Sequence, residues 1–161
     1  MKKSLLGIFL IAMIGWIYCS GWCAEEFISP IKSHGKPLIR KDARGDGHFG
    51  APRRGGRSHK GIDISAPLNT KVIASKSGIA KVGFVKNGMG KYVIIRHSDG
   101  SATLYGHLSR IIIKNNKRVR QGKAIGYVGK TGNAKYKGIQ PHLHFEIRQK
   151  GKCVDPLLFI D

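Results

Sequence analysis

From residue 70 onward, short runs of β-branched and aromatic residues alternate with clusters of glycine, serine, asparagine and aspartate. Such runs, bounded by turn-forming residues, read as strands. They predict strands over Thr70–Ala74, Ile79–Val85, Tyr92–His97, Ala102–Leu108, Ala124–Val128 and His142–Arg148. The breaks fall at Lys76-Ser77-Gly78, Asn87-Gly88-Met89-Gly90, Ser98-Asp99-Gly100 and Gln121-Gly122. Asp-Gly supplies the positive φ of a tight hairpin, so Ser98-Asp99-Gly100 is expected to join two antiparallel strands. Asp155-Pro156 reads as the N-cap and first residue of one short helical turn. Ahead of the strands, the stretch from Glu25 to about Arg57 is basic and rich in Gly, Pro and Ser, and reads as loop. The pattern predicts a mostly β fold.

The first residues follow another rule. Lys2 and Lys3 precede an almost unbroken apolar stretch from Leu5 to Tyr18, of signal-peptide length and short for a membrane span. Residues 1–23 are read as a signal peptide or retained N-terminal anchor. Small residues permit cleavage after Gly21 or Cys23. Residues 24–48 are read as a basic irregular lead-in, and 49–161 as the folded domain. Either fate of the leader implies export: periplasmic, wall-associated, secreted, or membrane-anchored.

The chain has 161 residues, one domain's worth. It carries 29 Lys plus Arg against 9 Asp plus Glu, and only two of those cations lie in the leader, so the high charge belongs to the domain. Such a surface seeks polyanions, and export makes nucleic acid the least fitting of them. Arg110, Lys114, Lys117, Arg118, Arg120 and Lys123 form a run without acids. Its plain reading is a solvated face; its functional reading is adhesion to anionic wall polymer or a membrane surface. Three cysteines exclude a disulfide framework, and Cys153 is expected to be a buried or free thiol, unless cleavage after Gly21 leaves Cys23 to pair with it.

The candidate chemistry lies in the seven histidines. His59-Lys60-Gly61-Ile62-Asp63 and Pro141-His142-Leu143-His144-Phe145-Glu146 stand out. On a strand, His142 and His144 project together, with Cα atoms roughly 6.6 Å apart. One suits a metal and the other a group beside it; spacing does not say which. His59 and Asp63 would lie about 13 Å apart on a straight strand, so they share a metal only if the chain bends, and Gly61 tolerates a bend. Two His, one Asp and an open position is the donor set of a catalytic zinc.

These segments, with Tyr105-Gly106-His107-Leu108 between them and Val154-Asp155-Pro156 after them, resemble the lysostaphin/LytM-type zinc metallopeptidases that cut bacterial peptidoglycan. The likeness runs from about Phe49 to Pro156. It implies a single antiparallel-sheet domain with a zinc-floored groove, filling residues 49–161. It implies one zinc ion held by His59, Asp63 and His144, with His142 and His107 as catalytic histidines. Zinc with an open position activates water near pH 7 for attack on a peptide carbonyl. His142 is assigned as general base and His107 as the group that holds or protonates the oxyanion, roles that can be exchanged. The implied partner is peptidoglycan; a monomer is expected.

Other residues receive plainer readings. His97 is expected to be structural or superficial, and His34 and His48 exposed. Glu146 is read either as steering a ligand histidine or as an ordinary salt bridge. Arg148 and Asp155 are read as structural, and Tyr105 is weighed as a cleft residue because it should share a strand face with His107. The family's short Ser/Thr-Gly loop before Pro141 is here the longer Asn133–Gln140, expected to wall the cleft. Two rival functions remain: an endopeptidase acting on an exported Gly-rich protein, and a non-catalytic wall-binding amidase activator.

Overall fold

The computed structural model describes residues 25–33 and 35–160; the expected leader and His34 lie outside the described residues. Thirteen strands follow in order: β1 Lys41–Asp42, β2 Gly45–Asp46, β3 Pro52–Arg53, β4 Arg57–Ser58, β5 Ile62–Ser65, β6 Lys71–Ile73, β7 Gly78–Val85, β8 Gly90–Arg96, β9 Ala102–Ile111, β10 Lys117–Val119, β11 Ala124–Val128, β12 His142–Gln149 and β13 Lys152–Val154. Short 3-10 turns cover Gly132–Lys135 and Pro156–Leu158. Asp155 caps the second, its side chain accepting from the Leu157 N–H, with Pro156 at the first position.

Nine strands make one antiparallel sheet in which β10, β7, β8, β9, β11 and β6 are neighbours in that order. β12 joins β9 on one side and β5 on the other. The expected all-antiparallel β architecture is therefore present. The hairpin at Ser98-Asp99-Gly100 closes β8 onto β9, with Gly100 at φ 80° and the Asp99 side chain accepting from the Ser101 N–H.

Three strands of this sheet were not foreseen. β5 is too short to declare itself, and its Asp63 interrupts the apolar pattern; pairing with β12 fixes it. β10 lies inside the basic run and exists because it pairs along β7. β13 turns back onto β12. The loop expected over residues 25–57 is also corrected. Two small ribbons, β1–β2 and β3–β4, form there, and Ile39 bridges to Ile64. Hydrogen bonds anchor this segment to the domain: Arg40 N–H donates to Asp63 O and Asp63 N–H to Gly47 O, both at 2.8 Å.

Alternation along β12 divides core from groove. Leu143, Phe145 and Ile147 are fully buried on one face, with Ile62, Ile95, Leu108, Ile125 and Val128 in the same core. His142, His144 and Glu146 take the other face. Burial of such apolar side chains, about 1.5–3 kcal/mol each, holds the sheet together.

β9 carries a bulge that decides the site. Lys91 pairs with Leu108 and Val93 with Tyr105, so Gly106 and His107 together face the single residue Tyr92. His107 takes φ 61°, and its N–H donates to Met89 O at 2.7 Å. At this point β9 also changes partner, pairing with β12 up to Gly106 and with β11 from Leu108. The extra residue reverses the alternation. Tyr105 accordingly faces the core at 0% exposure, against Phe145, and not the cleft as the regular pattern suggested. Its hydroxyl accepts from the Ser75 N–H at 2.8 Å and is hydrogen-bonded to the Thr103 hydroxyl at 3.0 Å.

Candidate active site

Asp63 and His144 stand directly opposite each other on β5 and β12. His59 reaches the same point because the chain bends at Gly61. The bend also needs glycine for space: a Cβ at Gly61 would collide with the Phe145 carbonyl oxygen and Glu146 Cγ. His59 Nε2, Asp63 Oδ1 and His144 Nδ1 form a triangle with sides of 3.0, 3.1 and 2.9 Å. All three residues are buried.

The surroundings fix which atoms face inward. His59 Nδ1 lies 2.9 Å from His48 O and donates to it, which leaves Nε2 as a lone pair. His144 Nε2 lies 3.0 Å from Glu146 Oε1 and donates there, which leaves Nδ1 as a lone pair. Glu146 thus holds a site histidine, and it is an ordinary salt-bridge partner as well, since Arg148 donates to its Oε2 from Nε at 2.9 Å and Nη2 at 2.6 Å. With both rings neutral and in these tautomers, three acceptor atoms would point at one another, a conflict that a shared proton or a metal ion between them removes. Tetrahedral zinc donors at about 2.0–2.1 Å stand roughly 3.3 Å apart, close to the triangle's sides. Nitrogen, nitrogen and carboxylate oxygen suit a borderline divalent ion. The residues fit a metal.

Two more imidazoles complete the group. His142 Nδ1 donates to Gln140 O at 2.7 Å, and its Nε2 stands 3.9 Å from Asp63 Oδ1. His107 Nδ1 donates to Thr131 O at 2.9 Å, and its ring lies edge-on to His142 with centroids 4.8 Å apart. Each neutral ring therefore keeps Nε2 as its acceptor.

Charge in the site is uneven. Burial opposes ionisation of Asp63, but hydrogen bonds from His144 and His59 outweigh it and hold the carboxyl well below the usual range. Its Oδ2 accepts from Arg40 Nη2 at 2.9 Å and Arg53 Nη2 at 3.3 Å. Burial also opposes charge on His144, yet bonding to Asp63 and Glu146 pushes its pKa up to about 9. His107 has no such support; burial, then repulsion from His142 and His144, pushes it down to about 3. Burial likewise lowers His142, against the pull of Asp63.

These residues line a groove of about 640 Å³. Asn133, Ala134, Tyr136 and Ile139 form part of its wall, as expected for the long loop before Pro141. The other described histidines, His48 and His97, stay out of it. His48 is exposed and touches the site only through its backbone oxygen. His97 is buried, bonded to Ser77 O and the Thr103 hydroxyl. Sequence reasoning missed Arg40 and Arg53, which sit in a segment read as loop although both grip Asp63. The six-residue cationic run is exposed throughout. Cys153 is half-buried and has no disulfide partner among the described residues; Cys23, its alternative partner, lies outside them.

The model of peptidase family M23 matches residues 57–156. The DD-carboxypeptidase/endopeptidase Mpg of Neisseria meningitidis is 44% identical over 101 residues, 63% of this chain and 22% of that protein. The murein hydrolase activator NlpD of Salmonella dublin is 33% identical over 70% of this chain and 28% of its own length. The chain spans about a fifth of the length of the first curated relatives it matches. Among solved structures, a zinc-containing peptidase from Vibrio cholerae superimposes with TM-score 0.66 at 28% identity, covering 82% of this chain and 39% of that one. The catalytic domain of lysostaphin from Staphylococcus simulans superimposes at 0.59 with 30% identity, covering 73% and 90%. The matched stretch is more than half of the chain and holds all five converging side chains: the chain belongs to peptidase family M23.

Proposed function

We propose that this chain is a zinc-dependent endopeptidase that hydrolyses peptide bonds in the stem peptides or cross-bridges of peptidoglycan. The observation that carries the reading is the triangle of His59 Nε2, Asp63 Oδ1 and His144 Nδ1 beside two imidazoles anchored through Nδ1. His59, Asp63 and His144 would hold the metal, and zinc there supplies Lewis-acid activation of water and carbonyl near neutral pH. His142 accepts the attacking water's proton at Nε2, while Nδ1–H stays on Gln140 O. It then passes that proton to the leaving amine. His107 takes up a proton from bulk water at Nε2 as the oxyanion develops, donates a hydrogen bond to that oxygen, and returns the proton to bulk water when the carbonyl re-forms. Burial disfavours that charge at rest, and the negative charge forming on the substrate oxygen offsets the cost.

The names of Mpg and lysostaphin support a peptidase, and that of the peptidoglycan DD-endopeptidase ShyC of Vibrio cholerae, 38% identical over 100 residues, supports peptidoglycan as its substrate. Residues 1–23 serve in this reading as the exporting leader or anchor, and residues 49–161 as the peptidase domain. The exposed cations of 110–123 offer anionic wall polymer or membrane surface a place to adhere.

Digestion of purified sacculi by the zinc-loaded protein, followed by mass analysis, tests the proposal. Release of uncross-linked muropeptides is expected. Intact sacculi together with cleavage of a Gly-rich protein would move the substrate elsewhere. A second reading, a wall-binding activator without hydrolysis, is favoured by the likeness to NlpD. It stands second because all five polar side chains are in place here; bound zinc with no cleavage of any muropeptide would promote it.

A further inference from the structure

The groove is walled by surplus positive charge. Arg40, Arg44, Arg53, Arg54, Arg57 and Lys60 line it, against two acids, Asp63 and Glu146. Both acids are engaged: Asp63 by Arg40 and Arg53, and Glu146 by Arg148. Arg44, Arg54, Arg57 and Lys60 are exposed, and among the described residues none of them forms an ion pair. The unmatched charge therefore faces whatever enters the groove.

These cations are held in place by their backbone. Arg54 and Arg57 flank the turn of the β3–β4 ribbon, where Gly55 and Gly56 take φ 76° and 68°, and the ribbon runs directly into His59. Arg57 Nε donates to Arg54 O at 3.2 Å. Arg53 ties the ribbon down, donating to Asp46 O at 2.8 Å and to Asp63. Arg44 Nε donates to Lys137 O at 3.2 Å, which joins the β1–β2 ribbon to the loop ahead of β12. A guanidinium presents planar paired donors that match a carboxylate. A groove of one sign concentrates ligands of the other and rejects its own.

We infer that this wall selects a peptide carrying free carboxylates beside the scissile bond, with Arg54 and Arg57 as specificity-determining residues. The inference rests on the groove being the substrate site proposed above. A neutral polyglycine strand offers these cations no partner. An anionic stem peptide, whose side-chain or α-carboxyl groups remain free, pairs with them on the His59 side of the site.

Binding tests it without requiring turnover. A cross-linked peptide with free carboxylates, its carboxamide twin and pentaglycine, each bearing a neutral dye, are titrated with the full chain by fluorescence anisotropy. The carboxylate peptide is expected to bind about tenfold tighter than its twin, with the gap narrowing as salt rises. Arg54→Gln/Arg57→Gln is expected to shrink the gap to within about threefold, and Arg54→Lys/Arg57→Lys to keep most of it. Thermal melting of both variants checks that the fold persists; should the Gln pair unfold, Arg44→Gln with Arg54→Gln takes its place. Equal binding of the two peptides by the wild type overturns the inference. So does a gap that the Gln variants leave intact. Selective binding without cleavage by the zinc-loaded protein leaves the inference standing and defeats the hydrolase reading instead.

Discussion

His144 donates from Nε2 to Glu146 Oε1 at 3.0 Å, on the side of the ring opposite the atom that faces Asp63. The two residues are neighbours on one face of β12, so the strand's own period supplies the contact. Glu146→Ala frees the ring to turn and is expected to weaken zinc affinity by about 10–100-fold, measured by competition with a chelator. Glu146→Gln keeps an acceptor and should lose less.

Removing the metal donor differs from removing its neighbour. His144→Ala is expected to lose zinc and hydrolysis together. His142→Ala is expected to retain zinc while turnover falls by about 10²–10⁴-fold. Metal content by mass spectrometry, read beside muropeptide release, separates the two; near wild-type rates in His142→Ala would remove it from the base role.

Gly132 lies at φ 64°, and a Cβ there would strike Gly88 O and Gly90 N. Gly132→Ala is expected to cost about 2 kcal/mol or more, seen in denaturant unfolding. It should also slow hydrolysis, because the preceding Thr131 O anchors His107.

Burial, the leading cause, lowers the pKa of His97, so the folded protein holds this ring neutral. The unfolded chain takes up its proton first, near pH 6.5. The stabilising bonds to Ser77 and Thr103 therefore count in full above that pH and lose ground to protonation as pH falls. The melting temperature of His97→Asn should lie below wild type at pH 8, with the gap narrowing toward pH 5. A constant gap would show that His97 does not titrate between the states.

Tyr105→Phe leaves the buried Ser75 N–H without its acceptor. A loss of about 1–3 kcal/mol in stability is expected, with the hydrolysis rate of the folded protein unchanged. A selective loss of turnover would return Tyr105 to the cleft.

The sheet was legible where apolar runs were long: Ala124–Val128 appears with the same bounds, and β7, β8, β9 and β12 shift by no more than a few residues. β5 and β10 were not, because their reason for being extended lies in β12 and β7 rather than in their own residues. The face of Tyr105 was misjudged because period-two reasoning assumes an unbroken strand, and Gly106, a glycine inside a strand run, is the one hint of the bulge. The bend at Gly61 was anticipated as conformational freedom. The structure adds the closer reason, the lack of room against β12. Arg40 and Arg53 were lost among many cations, since a charge that grips a buried carboxylate looks in sequence like one that meets only water.

The extra residue at Gly106–His107 lets a single strand serve two masters, the oily interior with Tyr105 and the wet cleft with His107. Were the same residues to run on as a plain zigzag, without the doubled step, the imidazole would fall on the side of Tyr105 and point into the interior. A single irregular step in an otherwise regular ladder is thus what delivers the imidazole to its four polar neighbours.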